Sequence, residues 1–594
     1  MHILGISCYF HDASAAILRD GALLAAAEEE RFSRVKHDFG FPSRAIQFCL
    51  DEAGIRGKDL DYVAFFEKPF VKFDRILQTT FAEVPKSAAV FRQAITAWLL
   101  DKLWVKNRIR EALGIDPQRI LFVEHHQSHA ASAFFCSPFE EAAILTVDGV
   151  GEWATATTGC GRDRTVDLTH EIHFPHSLGL LYSAFTAFLG FEVNEGEYKV
   201  MGMAPYGRPR FVEEVRKLLN VAPDGSFSLN LEYFEFQHST TRTYSDAFVK
   251  LFGAPRPVES LFFTEASGFP SYFGDKPSNY AELAATNQGY ADLAASIQAV
   301  TEETLLTMAR AACERAGTTR LCMAGGVALN SVANGRILRE AGVTDLFIQP
   351  AAGDSGAALG AALFVYHQVL GHPRGFVMQH ASWGARHSMD TIRAAAGATG
   401  FRSEECPDED RMLDRAAELI ADGRVIGWHQ GRFEWGPRAL GHRSILADPR
   451  RAEMKDTVNV KIKFREPYRP FAPSVIEEAA DRYFDTAGAS AQYPARFMLL
   501  VEPVRPEARS LLPATTHIDN SARLQTVLPG PSPRYHELIT RVGRATGVPV
   551  VMNTSFNLRG EPIVNTPAEA ISTFARSGLD ALVMDKVILH KDHL

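Results

Sequence analysis

Glu141-Ala142-Ala143-Ile144-Leu145-Thr146-Val147-Asp148-Gly149-Val150-Gly151-Glu152-Trp153-Ala154-Thr155-Ala156-Thr157-Thr158-Gly159 is the stretch on which the fold turns. An apolar run over 142–147 reads as a buried strand ending at an acidic residue. A turn rich in glycine follows at 148–151, and a strand of small residues starts at Ala154. Residues 166–174 read as a third strand. The same plan stands at the start of the chain, with strands over 3–9, 13–18 and 22–28 and a strong hairpin signal at Asp20-Gly21. Two copies of strand, polar turn, strand, strand imply two halves of similar fold facing each other. Amphipathic helices are expected over 43–53, 88–112, 178–189 and 290–316.

Just before the central repeat lies His125-His126-Gln127-Ser128-His129, between the short apolar run 119–124 and a tract of small residues that reads as helix. His125 and His129 are then four apart and face the same way, the geometry in which two imidazoles hold one metal ion. Asp148 adds a hard oxygen ligand at the end of the next strand. Further along, short apolar strands lead into Ala324-Gly325-Gly326-Val327-Ala328-Leu329-Asn330 and into Ala352-Gly353-Asp354-Ser355-Gly356. Small residues after a strand let backbone approach a ligand, and the following helix offers free amides to a phosphate.

The chain has 594 residues, too many for one core, and a break at Gly371-His372-Pro373-Arg374-Gly375 suggests one domain over 1–372 and another over 385–594. Residues 221–286, rich in Phe, Ser, Pro and Gly, read as an insertion or lid. The second domain carries Arg438, Arg443, Lys463, Arg465 and Arg469 among glycine, proline and aromatic residues that exclude a single solvated helix face. Such cations in rigid loops suit a polyanion, because guanidinium forks match phosphate oxygens. Ion pairs to Glu434, Glu466 and Glu561 are the competing use. Ser555 and Asn557, after Asn553, end an apolar strand with neutral donors.

Bulk properties narrow the partners. A formal charge of −9 gives no basic field for nucleic acid, and no apolar run is long enough to span a bilayer. Seven scattered cysteines without a Cys-x-x-Cys pair point to reduced thiols and a cytoplasmic setting, and the N-terminus does not read as a signal peptide.

Over nearly its whole length the chain resembles the NodU/CmcH-type O-carbamoyltransferases. The resemblance is carried by Phe10-His11-Asp12-Ala13-Ser14-Ala15-Ala16, Glu28-Glu29-Glu30-Arg31-Phe32, the histidine stretch, Glu197-Tyr198-Lys199-Val200-Met201-Gly202-Met203-Ala204-Pro205-Tyr206-Gly207, the two glycine-rich turns and residues 553–557. It implies an α/β architecture: a duplicated N-terminal TsaD-like domain of the actin and sugar-kinase fold, and a C-terminal YrdC-like α/β domain. Lys463-x-Arg465 and Ser555-x-Asn557 look like the signatures of YrdC-like sites.

The implied chemistry has two steps. In the C-terminal domain ATP, with magnesium, and carbamoyl phosphate give a carbamoyl adenylate, with Lys463, Arg465 and Ser555 in catalytic roles. In the N-terminal domain a small-molecule hydroxyl takes the carbamoyl group and AMP leaves, with His11 as base. The metal set implied is His125, His129, Asp148 and Asp354, with iron(II) expected; the donor set alone is equally compatible with manganese or zinc. Nucleotide and carbamoyl contacts are expected from Asp12, Lys199, Gly149, Gly151, Gly325, Gly326, Asn330, Arg438, Arg443, Arg469, Asn553 and Asn557. A homodimer is the expectation by analogy.

Three rivals remain at this level. A tRNA threonylcarbamoyl-type transferase is disfavoured by the acidic balance. Hydrogenase-maturation carbamoyltransferases carry the zinc Cys-x-x-Cys pairs that this chain lacks. A nucleotide-gated binding protein would leave the histidines and the C-terminal cations idle.

Overall fold

A computed structural model describes residues 1–100, 102–270, 273–466 and 468–591. The chain forms two compact units. One comprises Met1–Ala26 and Phe39–Val377, the other Ala27–Asp38 and Met378–Leu594.

The first unit contains the repeat. Strands β1 (His2–Ser7), β2 (Ser14–Arg19), β3 (Ala22–Glu28), β4 (Tyr62–Phe65) and β5 (Ile120–Phe122) form a sheet of order β3-β2-β1-β4-β5. β1 pairs antiparallel with β2 and parallel with β4, which pairs parallel with β5. A second sheet uses β6 (Glu141–Val147), β7 (Ala154–Arg162) and β8 (Thr165–His173), then β11 (Arg320–Ala324) and β12 (Asp345–Phe347), in the order β12-β11-β6-β7-β8. Here β6 pairs antiparallel with β7 and parallel with β11, which pairs parallel with β12. Both sheets are a three-strand meander followed by two parallel strands, which is the duplicated actin and sugar-kinase arrangement. A hairpin of β9 (Leu219–Val221) and β10 (Phe227–Leu229) lies in sequence between β8 and β11 of the second sheet.

The register follows the hydrophobic pattern. β1, β2 and β6 are buried on both faces and read as nearly unbroken apolar runs. Two helices cover them. Helix His125–Phe134 leaves β5 and packs on β6 and β11; helix Asp354–Phe364 packs on β1, β2 and the histidine helix. Their contact depends on Gly360. A Cβ there would lie 1.8 Å from the carbonyl oxygen of Ser128. Gly360→Ala should therefore destabilise the protein by about 1–3 kcal/mol, read as a lower midpoint in chemical denaturation. An unchanged midpoint would mean that the two helices are not held as closely as this.

Some elements differ from the sequence reading. The helix expected over 88–112 is two, Ala88–Leu100 and Val105–Leu113, with a tight turn at Lys102–Trp104. Lys102 in that turn donates to the Tyr9 carbonyl and stands over the Trp98 ring, contacts made by tertiary structure rather than by local pattern; residue 101 lies outside the described residues. The helix expected to start at Tyr290 starts at Tyr280 and runs to Ala316. Its first turns are alanine-rich and helix-prone without an apolar period, so amphipathicity does not mark them. The insertion read over 221–286 therefore ends in helix.

The second unit is built on a nine-stranded mixed sheet. Its strands are β13 (Arg402–Glu405), β14 (Ile426–His429), β15 (Arg443–Ala447), β16 (Ala472–Ile476), β17 (Leu500–Pro503), β18 (Ser521–Val527), β19 (Val550–Ser555), β20 (Ala581–Met584) and β21 (Val587–His590). The order is β13-β21-β20-β14-β15-β19-β16-β18-β17. Helices Glu409–Ala421 and Pro533–Thr546 cover one apolar cluster around Trp428, and helices Met389–Gly397 and Pro567–Arg576 flank another around Phe574. Residues 27–38 are grouped with this unit although they lie early in the chain. Arg31 donates to the Gly436 carbonyl at 2.7 Å, and Glu28 accepts from the Gly436 amide at 2.6 Å.

Candidate functional site

In the first unit, His125 and His129 lie on the first turns of their helix and are fully buried. Asp148 follows β6, and Asp354 is the first residue of its helix. One ligand atom from each of these four residues lies within 4.8 Å of the others. The separations are 3.1 Å between the two Nε2 atoms, 3.0 and 3.5 Å from His125 Nε2 to Asp148 and Asp354, and 3.5 and 3.4 Å from His129 Nε2 to the same two. A metal with bonds of about 2.1 Å sets neighbouring ligand atoms about 3.0–3.4 Å apart, so this spacing fits one ion. Oδ2 of Asp354 is buried without a hydrogen-bond partner, a cost that a cation would offset. Burial alone would keep His129 neutral, yet hydrogen bonds and charge from Asp148 and Asp354 raise its pKa to about 9. Burial opposes ionisation of Asp148, but the two imidazoles hold its pKa well below the usual range.

His126 is excluded from the cluster. Its Nδ1 meets Thr146 Oγ1 at 2.6 Å and its Nε2 meets the Ala154 carbonyl at 2.9 Å, which ties the helix to β6 and β7. The backbone N–H of His125 donates to both oxygens of Glu152 at 3.1 Å, so a carboxylate sits at the positive end of the helix. The sequence reading did not single out Glu152, four residues past Asp148.

The glycine-rich turns close on the same place. The Gly326 amide donates to Asp148 Oδ1 at 2.8 Å. Gly325 has φ of +95°, and a Cβ on it would lie 2.2 Å from the Val147 carbonyl oxygen, so only glycine lets the turn approach β6. Gly149 and Gly151 shape the turn after Asp148. The Gly149 carbonyl accepts from Ser177 Oγ at 2.7 Å, and the Gly151 amide donates to Ala154 at 2.9 Å. Asn330 caps helix Ser331–Glu340 and exchanges hydrogen bonds with Gln298 at 3.0 and 3.2 Å. Lys199 lies on helix Glu197–Met203, its ammonium 5.7 Å from the centre of the Phe191 ring.

His11 sits on the turn between β1 and β2, its Nδ1 2.8 Å from Asp12 Oδ2. Burial disfavours the imidazolium, but Asp12, Asp354 and Asp148 outweigh it and raise the pKa to about 10. The His11 imidazole thus lies within through-space electrostatic reach of two of the candidate ligands.

The second unit holds a separate constellation. Helix Met454–Thr457 widens into a π-helical turn, Val458–Lys463, a local irregularity common at functional sites. The buried ammonium of Lys463 reaches the end of β19, contacting the Ser555 carbonyl at 2.6 Å, Ser555 Oγ at 3.2 Å, the Asn557 carbonyl at 3.0 Å and Asn557 Oδ1 at 2.6 Å. The Lys-x-Arg and Ser-x-Asn stretches therefore meet. Burial, then the charges of Arg465, Arg469 and Lys36, push the Lys463 pKa well down. Arg465 donates to Asn459 Oδ1 at 2.7 Å and lies 4.8 Å from the Phe471 ring centre; Arg469 is 3.5 Å from Glu466.

A further cation, Arg523 on β18, lies outside the set read from the sequence. Burial and the charges of Arg438, Arg465 and Arg469 lower its pKa well below the usual guanidinium range, and its buried Nε has no partner. Three guanidinium charges pressing on a fourth, buried one describe a place for an anion. Arg443 is used differently. It is fully buried and donates to the carbonyls of Gln430, Gly431, His442 and Asn565 at 2.8–3.2 Å. Asn553 also serves inside the sheet, its Nδ2 donating to Ala439, Ser474 and Gln525.

Comparison with known proteins follows the same division. The carbamoyltransferase N-terminus family model matches residues 2–363, and the carbamoyltransferase C-terminus model matches residues 417–591. An uncharacterized protein of Synechocystis is 45% identical over 99% of this chain and 97% of its own length. Nodulation protein NolNO of Sinorhizobium fredii is 38% identical over 98% of this chain and 79% of its own. The 3'-hydroxymethylcephem-O-carbamoyltransferase of Amycolatopsis lactamdurans is 33% identical over 44% of this chain and 47% of its own. With both family models matched in order along one chain, as the sequence motifs implied, the chain belongs to the carbamoyltransferase family and is an enzyme of that class.

Proposed function

We propose that the enzyme is an ATP-dependent O-carbamoyltransferase acting on a small-molecule hydroxyl. In the second unit, water first takes the phosphate off carbamoyl phosphate to leave carbamate. A carbamate oxygen then bonds to the α-phosphorus of ATP, with magnesium, and the bond to pyrophosphate breaks, giving carbamoyl adenylate, phosphate and pyrophosphate. The cations around Lys463 and Arg523 suit this step, because two anionic substrates must be held together. In the first unit, the acceptor oxygen bonds to the carbamoyl carbon, the bond from that carbon to the AMP phosphate oxygen breaks, and AMP leaves. The hydroxyl proton goes to the imidazole of His11. His125, His129, Asp148 and Asp354 would hold a divalent metal, which supplies Lewis-acid polarisation of the carbonyl when bound. The observation that carries the reading is this buried two-histidine, two-aspartate cluster beside His11, inside the match to the family's N-terminal model. The name of the cephem relative supports oxygen as the acceptor atom. AMP should form from ATP only when carbamoyl phosphate is present, and a hydroxylated acceptor should gain the mass of one carbamoyl group. AMP formation that ignores carbamoyl phosphate would sink the reading.

His11→Asn keeps the size of the side chain but cannot take up a proton. It should retain bound metal and adenylate formation and lose about 10²–10⁴ in transfer rate. The base works only when neutral, so wild-type transfer should fall as pH drops through the His11 pKa. Asp12 raises that pKa, placing the acid limb above the ordinary histidine value of about 6.5. Rate–pH profiles of both proteins check this. An unchanged rate and profile in the variant would reduce His11 to a turn residue.

A further inference from the structure

Arg75 is a buried cation with no contact that explains it. It lies on helix Pro69–Ala82 of the first unit, is 7% exposed, and its guanidinium sits 4.8 Å from the centre of the Phe174 ring. Among the described residues no group accepts a hydrogen bond from that guanidinium, and its buried Nε has no partner. Two carboxylates pull on it through space, Glu67 and Glu152, yet neither pairs with it. Glu67 is paired with Lys72, and Glu152 accepts from the amides of Lys68 and His125. Burying Nε without a partner is costly, and stacking on a ring leaves the two terminal nitrogens of the fork free to take a ligand.

The surroundings place this fork beside the candidate transfer site. Glu152 holds the amide of His125, and Phe66 packs against the His125 ring at 5.4 Å. The Lys72 ammonium lies 4.7 Å from the ring centre of Phe10, the residue before His11. Phe174 in turn touches Phe236 of the inserted segment at 6.3 Å. We propose that Arg75 anchors the acceptor: its fork takes the carboxylate of a hydroxy acid and sets the hydroxyl toward His11. The carboxylate is unchanged by the reaction, and the bonds made and broken are those of the transfer step given above, on which this proposal rests.

The test uses the full-length, metal-loaded enzyme with ATP, carbamoyl phosphate and a panel of hydroxy acids paired with their methyl esters, read by mass spectrometry. The wild type should carbamoylate the acids at least about ten-fold faster than the esters, as expected when a charge-assisted pair is lost. Arg75→Gln should erase that difference while pyrophosphate release dependent on carbamoyl phosphate stays unchanged. Its melting temperature should barely fall, because the replacement gives up stacking on Phe174 but no hydrogen bond or ion pair. The proposal is overturned if acids and esters react alike, or if no acid is carbamoylated while pyrophosphate is still released. A variant that keeps the preference, or melts several degrees lower, overturns it too. Absence of pyrophosphate release in the wild type overturns the carbamoyl-adenylate reading instead, and this proposal with it.

Discussion

His129→Ala should purify with little bound metal and no measurable transfer, yet form carbamoyl adenylate at the wild-type rate. The imidazole removed is one of four donors within 4.8 Å, and it lies 3.4 and 3.5 Å from the two carboxylates. Without it, Asp148 and Asp354 face one imidazole instead of two, and the four-donor set that would hold the ion loses a member. The loss is confined by topology. All four donors belong to the first unit, within residues 2–363 of the family's N-terminal match, while Lys463 and Arg523 belong to the second. Metal content by mass spectrometry, pyrophosphate release and transfer from supplied carbamoyl adenylate separate the two steps. Because His129 is fully buried, His129→Gln serves as a second variant closer in volume, with the same result expected. Full metal occupancy in either variant would remove His129 from the ligand set.

What was legible in the sequence, and what was not, divides by range of interaction. The two meanders were readable because strand period, acidic turn and hairpin signal are local, and β1–β2–β3 and β6–β7–β8 form where those signals lie. His125 and His129 could be paired because a helix brings positions four apart onto one face, and Asp148 could be added because a strand end fixes it. Asp354 entered only through the family resemblance, yet it starts a helix beside the others. Arg523 was invisible for a different reason. A lone arginine in a strand gives no local sign that Arg438, Arg465 and Arg469 will converge on it. The same holds for Arg75, whose lack of a partner is a property of the folded neighbourhood, and for Glu28 and Arg31, whose hold on Gly436 spans some four hundred residues of chain. Arg443 shows the converse. Its setting among glycines suggested a ligand contact, whereas four carbonyls take up its guanidinium.

Lys463→Ala should lower carbamoyl-adenylate formation by about two to three decades, a loss of a few kcal/mol in transition-state stabilisation, while transfer from supplied carbamoyl adenylate stays near normal. The ammonium is a buried charge surrounded by oxygens of Ser555 and Asn557 and repelled by Arg465, Arg469 and Lys36. Burial and those neighbours lower its pKa, so the amine gives up its proton more readily than an exposed lysine. An incoming phosphate would reverse that pressure, because an anion among these cations stabilises each positive charge. Lys463 would then do two things, holding the end of β19 in place and helping neutralise the phosphates during adenylyl transfer. The two roles can be told apart. Lys463→Arg keeps the charge but not the compact ammonium that fits between Ser555 and Asn557, so it should recover part of the rate and none of the β19 anchoring. Arg523→Gln removes charge without touching Ser555 or Asn557, and should weaken substrate binding with the melting temperature unchanged. If Lys463→Ala still makes the adenylate at a near-normal rate, the cations of this unit serve its structure, and the anion site must be sought elsewhere on the sheet.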